Sequence, residues 1–64
     1  LHPLARSKVI EIQERLNKAG FKAGDPDGRV GPMTRHAIRR YQIKHGLPPD
    51  GFPNSQLINH LSNK

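Results

Sequence analysis

The sequence predicts an all-α fold: a compact three-helix bundle with an internal helix–turn repeat and ordered Asp-Gly loops. Three observations point to it. Apolar residues recur every three or four positions in three separate segments. Gly- and Pro-rich stretches that cannot continue a helix divide those segments. An Asp-Gly step followed closely by Pro precedes the second segment, and Asp50-Gly51 repeats it 23 residues after Asp27-Gly28. With 64 residues, 33% of them apolar and no Cys, the chain supports one domain around a thin core, with neither a disulfide framework nor a thiolate zinc site.

Residues 1–6 are read as a tail, because Leu1-His2-Pro3-Leu4-Ala5 holds a Pro and no usable period. From Ser7 the pattern is helical. Val9, Ile12, Leu16 and Ala19 lie on one face of a helix expected over residues 8–19. Ser7 is its expected N-cap and Gly20 its stop. Residues 20–31 contain four Gly, a Pro and an Asp-Gly pair, which makes an ordered loop. Phe21 and Val30, near its ends, are expected to tuck into the core. Gly31-Pro32 opens the second helix, with Pro in the first turn where its missing N–H costs nothing. Met33, Ala37, Ile38 and Tyr41 form the apolar stripe. Lys44-His45-Gly46 ends the helix, with cations near the negative pole and Gly as stop. Leu47–Phe52 is a second turn. A short third helix follows Pro53, with Leu57, Ile58 and Leu61 on one face, and residues 62–64 are a second tail.

The two turns read as copies. Asp27-Gly28, then Pro32 and Thr34, is echoed by Asp50-Gly51, then Pro53 and Ser55, two residues shorter between Gly and Pro. The helix before each turn carries a glutamine, Gln13 and Gln42. Gly28 can take the positive φ that a sharp change of direction needs. Asp27 stands shortly before a helix N-terminus, where a carboxylate can accept unpaired N–H groups and complements the helix dipole. Thr34 can bond back to the loop, and the two glutamine amides can satisfy loop N–H and C=O groups. On this reading all five residues are scaffold. A further role in ligand contact stays open, because a loop pinned in this way is a rigid platform.

Taken together, Val9, Gln13, Leu16-Asn17, Gly20-Phe21, Gly24, Asp27-Gly28, Gly31-Pro32, Thr34, Ala37-Ile38, Tyr41-Gln42, Gly46-Leu47 and Asp50-Gly51 form a pattern. It resembles the peptidoglycan-binding-domain-like family, three-helix modules appended to bacterial cell-wall hydrolases. The resemblance covers residues 7–61, with two departures. Tyr41 stands where Phe is more usual, and the second copy reads Asp-Gly-Phe-Pro-Asn-Ser where the family often has Gly-x-x-Gly-Pro-x-Thr. The shortened ending looks like versions attached to lytic transglycosylases and related periplasmic proteins of Gram-negative bacteria. The resemblance implies a non-catalytic, cofactor-free, monomeric module that binds peptidoglycan (murein). It would hold an attached cell-wall enzyme on its polymeric substrate, in a periplasmic or cell-wall-associated setting. Such tethering raises effective concentration even when each contact is weak.

The residues themselves allow this function. Murein stem peptides carry free carboxylates, for which guanidinium groups are bidentate donors. Arg35 and Arg39 are one helical step apart, Arg40 and Lys44 form a second such pair, and Arg29 sits in the loop leading into the same helix. A plain solvated face has the same appearance. The expected groove lies beside the Asp27–Thr34 loop and the basic side of the second helix. There Asp27, Gly28 and Thr34 shape it, Arg29 flanks it, and Arg35 and Arg39 meet carboxylates. Tyr41 and Gln42 are candidate contacts for sugar or peptide, although the place of Tyr41 on the apolar stripe favours core packing.

Other functions fit the residues less well. A formal charge of +6 invites nucleic acid. The surplus, however, sits at +3 over residues 1–22 and +4 over 32–49, and the third helix has no Lys or Arg before Lys64. It would make a poor recognition helix, and a twelve-residue loop is too long for a helix-turn-helix. Glu11 and Glu14 share a helix face but stand among Lys8, Arg15 and Lys18, as solvated ion pairs do. No nucleophile motif surrounds any Ser, so no enzyme is expected in this segment itself. His2, His36, His45 and His60 include no i, i+4 pair, and Asp25-Pro26-Asp27-Gly28 departs from a calcium loop at Arg29 and His36. Thus no metal is expected. Apolar runs of two residues do not span a membrane. With no initiator Met and no apolar leader, the chain reads as a piece of a larger or processed protein. A regulatory domain docking on its own catalytic domain is the remaining alternative.

Overall fold

The computed structural model describes residues 5–62, so residues 1–4 and 63–64 of the expected tails lie outside the described residues. Helices α1 (Arg6–Lys18), α2 (Pro32–Lys44) and α3 (Ser55–Ser62) follow in the predicted order. Among the described residues there is no strand. The core is built from Ile12 and Leu16 of α1, Ala37, Ile38 and Tyr41 of α2, and Leu57 and Leu61 of α3. Ala23 joins them from the first loop, and Phe21, Leu47 and Ile58 pack against the cluster from partly buried positions. Each fully buried Leu or Ile contributes about 1.5–3 kcal/mol.

Helix α1 begins two residues earlier than its periodicity suggests. Its N-cap is Ala5, whose carbonyl accepts the N–H groups of Lys8 and Val9 at 2.9 and 3.1 Å. Ser7 lies inside the helix and caps nothing. The added residues are anchored by tertiary contact, Arg6 Nε donating to the Asp27 carbonyl at 3.1 Å. Ala19 is exposed because it is the C-cap, where the chain leaves the helical path.

Both long helices end in the same Schellman turn. Phe21 N–H donates to Leu16 C=O and Gly20 N–H to Asn17 C=O; Leu47 N–H donates to Gln42 C=O and Gly46 N–H to Ile43 C=O. The two turns thereby deliver Phe21 and Leu47 to the core edge. Helix α2 starts at Gly31-Pro32 as expected, whereas α3 is capped by Asn54, whose Oδ1 accepts Leu57 N–H at 2.7 Å.

Two further core expectations fail. Val30 is 37% exposed and Met33 60% exposed. The loop is fastened instead at Ala23, whose N–H donates to Asn17 Oδ1 at 2.6 Å and whose carbonyl accepts the Thr34 hydroxyl at 2.8 Å. Turning Thr34 inward places Met33, a step of 100° around the helix, outward.

Candidate functional site

The two Asp-Gly turns are held by the same device. In the first, the Gln13 amide reaches from α1 and is fully buried. Its Oε1 accepts Gly28 N–H at 2.9 Å, while Nε2 donates to the Arg29 carbonyl at 2.8 Å and to Thr34 Oγ1 at 3.0 Å. A longer approach of 3.5 Å reaches Asp27 Oδ1. That carboxylate oxygen also accepts Arg29 N–H at 2.8 Å. In the second turn, Gln42 Oε1 accepts Gly51 N–H and its Nε2 donates to Asp50 Oδ1, both at 3.0 Å. Asp50 Oδ1 also accepts Phe52 N–H at 3.0 Å. No buried side-chain polar atom among the described residues lacks a partner.

The aspartates therefore close their own turns rather than cap the following helix, and α2 has no side-chain cap. The hydrogen bond from Arg29 N–H, helped by the Gln13 amide and opposed by partial desolvation, holds the Asp27 carboxyl below its ordinary range. Phe52 N–H and then the Gln42 amide do the same for Asp50. The duplication is also better registered than the positions of proline suggest. Each N-cap, Gly31 and Asn54, follows its turn glycine by three residues, so the loops have equal length there. Proline alone has shifted, from inside the helix to before the cap. The partner of buried Thr34 is then the fully buried Leu57, not the exposed Ser55.

Beside these turns runs an open groove of about 360 Å³, lined by Val30 and Gly31 at the end of the first loop, by Pro32, Arg35, His36 and Arg39 of α2, and by Asp50 and Gly51 of the second turn. The Arg35 guanidinium lies 4.4 Å from the centroid of the Phe52 ring, itself 50% exposed. Ion pairs among the described residues belong to Glu11, with Arg15 at 3.1 Å and Lys8 at 3.9 Å, so Arg35 and Arg39 keep their forks open. Arg40 does not line the groove, and Arg29 is exposed on the loop. Thr34, Tyr41 and Gln42 are at most 3% exposed. Tyr41 meets Phe21 edge-on at 5.4 Å, and its hydroxyl and His60 Nδ1 share a hydrogen bond of 2.5 Å. Desolvation pushes the Tyr41 phenol above its ordinary range.

Of the predicted residues, the structure brings Arg35 and Arg39 to one groove, sets Asp27, Gly28 and Arg29 on the neighbouring loop, and buries Thr34, Gln42 and Tyr41, the last on the opposite side of α2. His36, Asp50 and Phe52 were missed. The 23-residue offset that carries Asp27 onto Asp50 was the signal that pointed to the second turn. Chemically the groove offers two guanidinium forks, one carboxylate and an exposed aromatic edge, a set suited to a charged, partly apolar ligand.

The chain matches the peptidoglycan binding domain family over residues 5–61. It is 46% identical over 48 residues to a spore cortex-lytic enzyme of Bacillus cereus, covering 75% of this chain and 18% of that protein. It is 36% identical over 59 residues to the N-acetylmuramoyl-L-alanine amidase CwlM of Mycobacterium tuberculosis, covering 92% and 14% of the respective chains. Among solved structures it superposes on SltB3 of Pseudomonas aeruginosa, in complex with NAG-anhNAM-pentapeptide, with a TM-score of 0.89 and 43% identity. That match covers 94% of this chain and 16% of SltB3. The chain thus spans under a fifth of the length of these relatives. With its three helices, its paired Asp-Gly turns and these matches, the chain belongs to the peptidoglycan binding domain family.

Proposed function

We propose that this domain is a non-catalytic peptidoglycan-binding module that anchors an attached cell-wall-degrading or remodelling enzyme to its substrate, in the periplasm or at the cell wall. The observation that carries the reading is the groove in which Arg35, stacked on Phe52, and Arg39 form no ion pair among the described residues, beside two firmly held Asp-Gly turns. Asp27, Gly28 and Arg29 shape its approach. Thr34, Gln42 and Tyr41 act from behind, by fixing the loops and the helix that present the arginines. The binding unit is residues 7–61, acting as a monomer. Each exposed charge contact is worth about 0.2–1 kcal/mol, so a single domain binds weakly. Its value lies in keeping an attached enzyme at high local concentration on a polymer.

Purified sacculi test this directly by co-sedimentation. The wild-type domain is expected in the pellet, and Arg35→Glu/Arg39→Glu in the supernatant with an unchanged circular-dichroism spectrum. Failure of the wild type to sediment sinks the function; equal sedimentation of the folded double variant sinks only the site.

A further inference from the structure

A second groove lies between α1 and the C-terminal end of α2. It measures about 300 Å³, and its lining includes Arg15, Lys18, Phe21, Tyr41, Lys44 and His45. Three cations from two helices converge on it, and among the described residues no carboxylate lines it. Glu11 takes the Nε of Arg15 from outside, leaving the terminal amino groups of that guanidinium available. Glu11 and Glu14 border a separate shallow depression with Arg15 and Lys18. Cations in the last turns of α1 and α2 do complement the helix dipoles. That need is met on any side of a helix, and does not explain why both sets face one aromatic-walled groove where like charges repel. Lys44 Nζ stands 5.7 Å from the centroid of the half-buried Phe21 ring, so charge and apolar surface are presented together.

The two grooves use different faces of α2. Positions 32, 35, 36 and 39 line the first, and positions 41, 44 and 45 the second. At 100° per residue the two sets are offset by about half a turn. The domain measures only 25 × 25 × 22 Å, so both faces are within reach of neighbouring strands of a meshwork.

We propose that this second groove is a distinct binding site for carboxylate-bearing peptides of the wall polymer, which makes the domain bivalent. The proposal rests on the reading that the domain binds peptidoglycan. Because the grooves face apart, the second engages a different strand from the one held by Arg35 and Arg39. The domain then bridges strands, and retention gains by avidity rather than by tighter contact at either groove.

The test is a ¹H–¹⁵N NMR titration of the domain with a soluble disaccharide-tetrapeptide muropeptide released from sacculi. Two separate groups of amides are expected to shift: His36, Arg39 and Gly51 at the first groove, and Ala19, Phe21 and His45 at the second. Amidating the muropeptide carboxylates is expected to abolish the second group of shifts, a comparison that needs no mutation. Lys18→Gln/Lys44→Gln is expected to weaken binding at the second groove by about two- to thirtyfold, while leaving the first group unchanged. Shifts confined to the first groove overturn this inference and leave the proposed function standing. Second-groove shifts that survive either amidation or Lys18→Gln/Lys44→Gln unchanged also overturn it. No shift at either groove removes both readings together.

Discussion

Replacing Gln13 by Leu removes the side chain that ties α1 to the first Asp-Gly turn while keeping a buried apolar stem. Three hydrogen bonds of 2.8–3.0 Å disappear, to Gly28 N–H, the Arg29 carbonyl and Thr34 Oγ1. Thr34 keeps its bond to the Ala23 carbonyl, and the Arg29 carbonyl still accepts Gly31 N–H. At about 1 kcal/mol net for each bond lost, the substitution costs about 3 kcal/mol. A domain of this size has a total stability of about 3–10 kcal/mol, so the loss is a large fraction of the whole. It corresponds to a fall in Tm of about 12–24 °C. Gln42→Leu removes two such bonds, to Asp50 Oδ1 and Gly51 N–H, and costs about 2 kcal/mol. Urea unfolding followed by circular dichroism at 222 nm measures both. A loss below about 1 kcal/mol for Gln13→Leu, or a Gln42 variant less stable than the Gln13 variant, refutes the idea that these amides are the principal clamps.

Gly28→Ala is expected to destabilise more than Gly20→Ala. Both residues have positive φ, +83 and +91, which costs an L-residue about 1–2 kcal/mol. A Cβ at Gly28 would also collide with the Arg6 side chain, whereas none of the described residues stands within 4 Å at Gly20. Arg6 must swing aside and give up its bond to Asp27; equal unfolding midpoints for the two variants would count against that contact. Acid is expected to loosen both turns. The carboxyls of Asp27 and Asp50 are held below the ordinary 3.8 in the folded state. Their contribution is therefore complete above that value and is lost as pH falls through the lower native values. Thermal unfolding from pH 7 to pH 2 should show a decline beginning below about pH 4, and a smaller decline in Asp27→Asn/Asp50→Asn. An unchanged acid limb in that double variant assigns the decline to other groups.

Much of the fold was legible because its signals are local. The stripe Val9, Ile12, Leu16, the Gly31-Pro32 start and the Gly20 and Gly46 stops each depend on a few neighbouring residues, and all stand where expected. The pairing of Gln13 and Gln42 with Asp-Gly turns was also readable, since amide and turn recur together. Val30 and Met33 were misplaced for a common reason. Hydropathy marks a residue as able to be buried, but the inward side of the loop was decided by the Asn17–Ala23 and Thr34–Ala23 hydrogen bonds. Ser7 lost its role as a cap to a contact between Arg6 and the Asp27 carbonyl, 21 residues away.

By itself, then, the sequence determined the helices, the duplicated turns, most of the buried face of each helix and the surplus of cations. Those properties follow from backbone sterics and periodicity within a turn or two of chain. Tertiary structure alone decided which cations share a groove. Arg35 and Arg39 meet Asp50 and Phe52 across a gap in sequence, and Arg15 and Lys18 of α1 meet Lys44 of α2. Packing around Ile12, Leu16, Ile38 and Tyr41 sets that geometry. Charge alone carries no information about direction, so a net +6 became two faces only when the helices were placed.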